Sequence, residues 1–247
     1  MNHVDEQGGG RMQTVRNGNP RALSKPCFDI GYFTNDLEPM LAFWRVALGL
    51  AAEPPIAFND GLTQYRHALG ASVLKINTAR GGVANAPPSG YRELLIARDD
   101  VGAPRTLHDP DGNRVTLVPP GHDGITGVAL RLAVADAARQ GAFLVDAMGF
   151  EAVGPDTYRS GDSLLFVEED HALGRAGHWV NAGLRYFTLH VMRVDAAFAA
   201  ITAAGAEIGE APYSIGQIAR ISFVRDPHGN WIEVAQRAAL AGPWWED

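Results

Sequence analysis

The chain states one supersecondary plan more than once, and that repetition limits its fold more than any single residue does. NDLEPMLAFWRVALGL near residue 36 is answered by ADAARQGAFLVDAMGF near residue 136. Asp36 and Asp136 stand 100 positions apart, as do Leu48-Gly49 and Met148-Gly149. A second pair follows: LHDPDGNRVTLV at 107–118 and VRDPHGNWIEVA at 224–235. Units of this size cannot bury their apolar faces alone, so copies must pack on one another.

Each copy reads as strand, helix and further strands. PCFDIGYFTND is a strand ended by polar residues, and Leu37, Leu41, Trp44 and Leu48 then recur at helical spacing. Asp36 is placed to cap that helix and Gly49 to end it. GLTQYRHA and GASVLKINTA read as strands around a Leu69-Gly70 turn, and YRELLIARDD and NRVTLVPP follow a Gly/Pro-rich break at 81–90. The second half offers GVALRLAVAD as a strand, a helix over 137–147, a hairpin of DTYRS and DSLLFVEED, and a linker over 170–183. LRYFTLHVMRVD, a helix over 195–204 and the hairpin ARISFVRDPHGNWIEVAQ close the chain. Asp36 to Asp109 spans 73 positions and Asp136 to Asp226 spans 90, so one unit lacks a short helix. No helix longer than one turn is expected between 99 and 108.

Composition excludes several classes. The formal charge of −7 leaves no basic face for phosphates, so no nucleic-acid partner is expected. No run is apolar enough to span a membrane, and residues 1–25 read as a disordered tail without a signal-peptide core. The single cysteine, Cys27, reads as a small buried side chain and suits a reducing, cytoplasmic setting. Nucleophile-elbow, HExxH, P-loop and CxxC signatures are absent.

The strand–Asp–helix–Leu/Met–Gly units and the two DP(D/H)GN turns resemble those of the vicinal oxygen chelate superfamily. That superfamily contains glyoxalase I, extradiol dioxygenases and bleomycin resistance proteins. The resemblance covers about 26–236. It implies an α+β fold of four βαβββ-type units, the second one trimmed, forming two half-open mixed-sheet barrels. One glyoxalase-like half would span 26–120 and the other 125–237, with a tail over 238–247. It also implies a small-molecule ligand and either of two functions. One is an enzyme, a lyase, isomerase or dioxygenase acting on a small oxygenated organic molecule. The other is a non-catalytic protein that sequesters a small molecule. The cofactor would be one divalent ion (Fe, Mn, Ni or Zn) or none, and a homodimer is compatible with the resemblance.

Carried over residue by residue, the family's ligand positions fall on Asp29 and Lys75, Tyr91 and Thr116, Ala129 and Val167, and Tyr186 and Glu233. Only Glu233 is an ordinary metal ligand in its ordinary place. His190, four residues past Tyr186 and so on the same strand face, is the best imidazole to join it as a second ligand or as a base. Alternation adds Asn77, Glu93, Arg114, Arg131 and Thr188 to this polar face. Glu233, His190, Tyr186, Lys75 and Glu93 are the candidate catalytic groups. Asp29, Tyr91, Arg114, Arg131 and Trp231 are the candidate substrate contacts. The same charges could instead satisfy one another as a buried network. For a binding protein, Phe33, Phe187, Tyr65 and Trp231 would line the cleft. Sequence neighbours usually pack together, so unit one is expected to pair with unit two. A Lys75–Glu233 contact would refute that pairing.

Overall fold

The computed structural model describes residues 18–58, 61–85 and 87–244. The tail expected over 1–25 lies mostly outside the described residues. Unit one comprises β1 (Asp29–Phe33), β2 (Ile56–Ala57), β3 (Leu62–Leu69) and β4 (Ser72–Ala79). Unit two has β5 (Tyr91–Ala97), β6 (Arg105–His108) and β7 (Arg114–Val118). Unit three has β8 (Val128–Val134), β9 (Glu151–Gly154), β10 (Thr157–Ser160) and β11 (Ser163–Glu169). Unit four has β12 (Gly183–His190), β13 (Glu207–Ile215), β14 (Ala219–Arg225) and β15 (Trp231–Arg237). Helix α1 (Leu37–Ala42) follows β1, α2 (Ala137–Ala142) follows β8, and α3 (Val194–Ala203) follows β12. A last helical turn, α4 (Ala238–Ala241), follows β15. Residues 99–104 are turns, so the second unit is the trimmed one.

The strands form two mixed sheets, ordered β13-β14-β15-β12-β1-β4-β3-β2 and β6-β7-β5-β8-β11-β10-β9. Unit one therefore pairs with unit four, and unit two with unit three. This corrects the sequential pairing expected from the sequence. The join is β1 against β12, antiparallel, with Asp29 opposite Thr188 and Ile30 opposite Phe187. All five residues of β1 are buried, so this strand needs a partner on each edge. It finds β4 on one side and β12 on the other. Gly31 permits the second join, because a Cβ there would lie 2.2 Å from the Tyr186 ring.

Alternation then sorts the first sheet into two faces. Ile30, Tyr32, Leu74, Ile76, Phe187, Leu189, Ile232 and Val234 enter one core with Met40 and Trp44 of the first helix and Val194 and Ile201 of α3. The same core holds Leu94, Leu130, Leu144 and Leu165 of the other half. The opposite face of the first sheet carries Phe33, Trp179, Tyr186, Phe223 and Trp231. The matching face of the second sheet is filled by Leu95, Val118, Ile125, Ala129 and Leu164.

The repeat is visible in details. Both α1 and α2 run into a π-helical turn, Phe43–Ala47 and Phe143–Ala147, and end at positive-φ glycines, Gly49 and Gly149. The caps differ. Asp136 accepts a 2.9 Å hydrogen bond from the Arg139 N–H, but Asp36 makes no side-chain cap. Position 39 is proline, which has no N–H to give, so the cap expected at Asp36 is lost. No described helix is long and apolar enough to cross a membrane.

Candidate functional site

A cavity of about 500 Å³ opens on the polar face of the first sheet. Its floor comes from the four central strands. β4 brings Lys75 and Asn77, β1 brings Asp29, β12 brings Tyr186 and His190, and β15 brings Glu233. Lys75 Nζ donates to Glu233 Oε2 and to Thr188 Oγ1, both at 2.7 Å, and Thr188 donates to the same Glu233 oxygen at 2.5 Å. Glu233 Oε1 accepts no hydrogen bond among the described residues, and it is the carboxylate atom left for a ligand. Beside this pair, His190 Nε2 lies 2.7 Å from Asp29 Oδ2, and Asp29 Oδ1 accepts from Lys25 at 2.5 Å and from the Val73 N–H at 2.8 Å.

Charge states follow from burial and partners. Burial lowers the pKa of His190 against the opposing pull of Asp29, so the imidazole is neutral at pH 7. Its Nε2 then donates to Asp29 and its Nδ1 is a buried lone pair without a partner. Burial would raise Asp29, but the His190 hydrogen bond and the Lys75 and Lys25 charges outweigh it and hold the carboxyl below its usual range. Burial, reinforced by Glu233, pushes the Tyr186 phenol well above 10, so it keeps its proton. Asn77 Nδ2 donates to that hydroxyl at 3.2 Å and to the Tyr32 carbonyl at 2.8 Å, while Gln64 Nε2 donates to Asn77 Oδ1 at 3.0 Å.

The walls are aromatic. Trp179 stacks on Phe223 with centroids 4.5 Å apart, and Tyr186 meets both edge-on at 5.9 and 5.6 Å. Trp179 belongs to the linker over 170–183, so that segment contributes one wall residue to the cavity. Its indole N–H donates to Glu210 at 2.8 Å, which fixes the ring. The β13–β14 hairpin adds Tyr213, Ile215 and Ile221, and the rim near β3 adds Phe58 and Leu62.

Of the sequence candidates, Glu233, His190, Tyr186, Lys75 and Asp29 meet here, through the pairing the sequence argued against. The others lie elsewhere. Glu93 on β5 accepts from Thr116 at 2.5 Å and from Arg131 at 2.9 Å, with Arg114 at 3.3 Å, in a self-satisfied cluster on the second sheet. The aliphatic side chains of Leu95, Val118, Ile125, Ala129 and Leu164 pack together on that sheet. Tyr91 spans the two sheets, its hydroxyl donating to the Trp231 carbonyl at 3.0 Å. Trp231 packs on Phe223, His178 and Arg225 behind the wall and does not line the cavity. Phe187 is in the core and Phe33 packs on Trp179. Cys27 is buried, and burial raises its thiol, which disfavours a nucleophilic thiolate.

Arg66 and Arg237 also line the cavity, and sequence reasoning missed both. Arg237 is four residues past Glu233 on one strand, and Arg66 lies directly opposite Lys75. The two-residue period applied to those strands would have found them.

The donor set does not fit a divalent ion. Lys75 puts an ammonium among the four carried-over positions that meet in the cavity, Asp29 has both oxygens occupied, and Glu233 has one. No group of three or more His, Cys, Asp or Glu side chains is arranged to hold a metal among the described residues. The ammonium supplies the positive charge that the two carboxylates face.

The sequence model described as the Glyoxalase/Bleomycin resistance protein/Dioxygenase superfamily matches residues 125–234. No curated protein matches the sequence. Glyoxalase I from Zea mays is similar in structure, with TM-score 0.66 and 16% identity over 85% of this chain and 92% of that one. A candidate dioxygenase from Bacillus subtilis superposes with TM-score 0.64 and 12% identity, over 88% of this chain and 85% of that one. Identities this low speak to the fold alone.

Proposed function

We propose, on the premise that residues 125–234 belong to the glyoxalase/bleomycin resistance protein/dioxygenase superfamily, that this chain is a proton-transfer enzyme of the lyase or isomerase kind. Its substrate is a small oxygenated organic molecule held in the cavity between units one and four. The reading rests on the Lys75–Glu233 pair, 2.7 Å apart at the foot of an aromatic-walled cavity. Glu233 Oε1 takes a proton from the carbon next to a carbonyl, and the electron pair moves to the carbonyl oxygen. That oxygen accepts hydrogen bonds from the remaining Lys75 N–H and from the un-ionised Tyr186 hydroxyl. Glu233 then returns the proton to carbon, so nothing is consumed. Asp29 and His190 form a neighbouring hydrogen-bonded pair that fixes the floor. A cytoplasmic location and a homodimer remain part of this proposal.

The aromatic walls favour a second reading, a protein that holds a flat molecule without changing it. One experiment separates them. The full chain is incubated with 2-tetralone in D2O, and loss of the α-proton signal is followed by NMR beside the Glu233→Gln variant. Exchange faster than in the variant supports the enzyme. Equal rates in the two proteins sink it, and saturable binding without exchange supports the second reading.

A further inference from the structure

The basic side chains in and beside the cavity are not equally matched. Lys25 has Asp29, Lys75 has Glu233, and Arg66 Nη2 has Glu53 at 3.0 Å. The Arg237 guanidinium, half-buried at the end of β15, makes no hydrogen bond and no ion pair with the described residues, and the carboxylates that act on it at longer range, Asp29, Glu53 and Glu233, each already hold another cation. His190 is neutral, so one positive charge in this cavity is left over. A second observation points the same way: Arg66 is buried, and its Nε–H reaches no acceptor. An arginine N–H removed from water without a partner is costly, and so is a half-desolvated guanidinium beside other cations. Burial and the nearby Arg66 lower the pKa of Arg237, against the pull of Asp29, Glu53 and Glu233.

We infer that the cavity takes a monoanion, a flat aryl carboxylate whose ring lies along Trp179, Tyr186 and Phe223 and whose carboxylate meets Arg237 and the free Arg66 Nε–H. This names the ligand class of the site proposed above and rests on that small-molecule reading. One unmatched charge suits one carboxylate, and the planar fork of arginine matches the planar carboxylate. A dianion would leave one of its charges without a counter-ion in the cavity.

The test uses a matched pair, 2-naphthoate and its uncharged isostere 2-naphthamide, titrated calorimetrically into the full chain and into Arg237→Gln. The carboxylate is expected to bind about tenfold or more tightly than the amide, as a charge-assisted hydrogen bond implies. Arg237→Gln is expected to lose most of that preference, its affinity for the carboxylate falling about tenfold further than its affinity for the amide. Amide binding equal to carboxylate binding overturns the inference and leaves the small-molecule reading standing. A preference retained in Arg237→Gln overturns it, and so does an equal loss for both probes, which would mark Arg237 as structural. Binding of neither probe to the wild-type chain counts against the inference and the reading together.

Discussion

Lys75 and Glu233 are each the other's reason for being tolerated inside the protein. Both side chains are only 8% exposed. Removing the cation alone, in Lys75→Met, strands a carboxylate in a low-dielectric cavity, and a loss of about 3–5 kcal/mol is expected in urea unfolding. The double variant Lys75→Met/Glu233→Leu should recover most of it, because no charge is then left behind. A loss in the double variant that equals or exceeds the single loss would contradict this account. A second residue-scale expectation concerns acid. His67 is buried, and its Nε2 accepts a 2.8 Å hydrogen bond from Arg45, so it must be neutral. Burial and Arg45 lower its pKa to about 4. The unfolded chain, with a histidine near 6.5, then binds the proton first. Stability from this residue is complete above 6.5 and falls as the pH drops from there toward 4. Between pH 7 and 5 the loss is about 2 kcal/mol, and His67→Gln should flatten it. An unchanged slope in that variant would place the acid sensitivity elsewhere. At this scale much of the site was legible. Period-two alternation from Tyr186 and Glu233 reached His190 and Thr188, because strands force alternate side chains to one face. Glu93 and Arg131 followed the same rule on the other sheet, where alternation cannot say whether a face is hollow or filled.

Among the elements, the two DP(D/H)GN turns do more than reverse the chain. Asp109 Oδ1 accepts from the N–H groups of Asp111 and Asn113, and Asp226 Oδ1 from those of His228 and Asn230, which fixes each loop. The asparagines then reach across. Asn113 Oδ1 accepts from the Leu184 N–H at 3.2 Å, and Asn230 Oδ1 accepts from the Gly90 N–H at 2.6 Å. Each turn thus anchors the start of a strand in the other sheet. Asn230→Ala leaves a buried donor unmet at Gly90, and about 1–3 kcal/mol of stability should be lost. Asn113 is less buried, so Asn113→Ala should cost less; thermal melts of the two variants give the order, and the reverse order would refute it. Gly31→Ala is expected to be worse than either for ligand binding. Its methyl group displaces the Tyr186 ring, so affinity for any cavity ligand should fall along with the melting temperature. A variant that binds 2-naphthamide as the wild type does would show that the ring has room to move. The repeat, the helices that follow β1 and β8 and the trimmed unit were readable as spacing, whereas the π-turns that end those helices were not. Strand β13 was not, because its edge position leaves it largely exposed and Gly209 and Pro212 interrupt its pattern. Its hairpin supplies part of the cavity wall.

At the scale of the whole molecule, the number and kind of units were legible in the repeat but their partners were not. Nothing in the pattern of β1 distinguishes a neighbour at residue 91 from one at residue 186, since both strands are largely apolar and both carry a tyrosine. The deciding features are three-dimensional: the bare backbone at Gly31 and the complementary charges of Lys75 and Glu233, 158 residues apart. Pairing the first unit with the last has a consequence for how the protein comes into being. On a ribosome, the sheet of units two and three can close once residue 169 has emerged. The first unit waits with β1 lacking its second neighbour until β12 and β15 arrive. The cavity is therefore the last part of the chain to be made, and an incomplete protein cannot hold a ligand there. Ligand added during refolding should speed nothing before that final closure, and it should hold the two ends of the chain together afterwards.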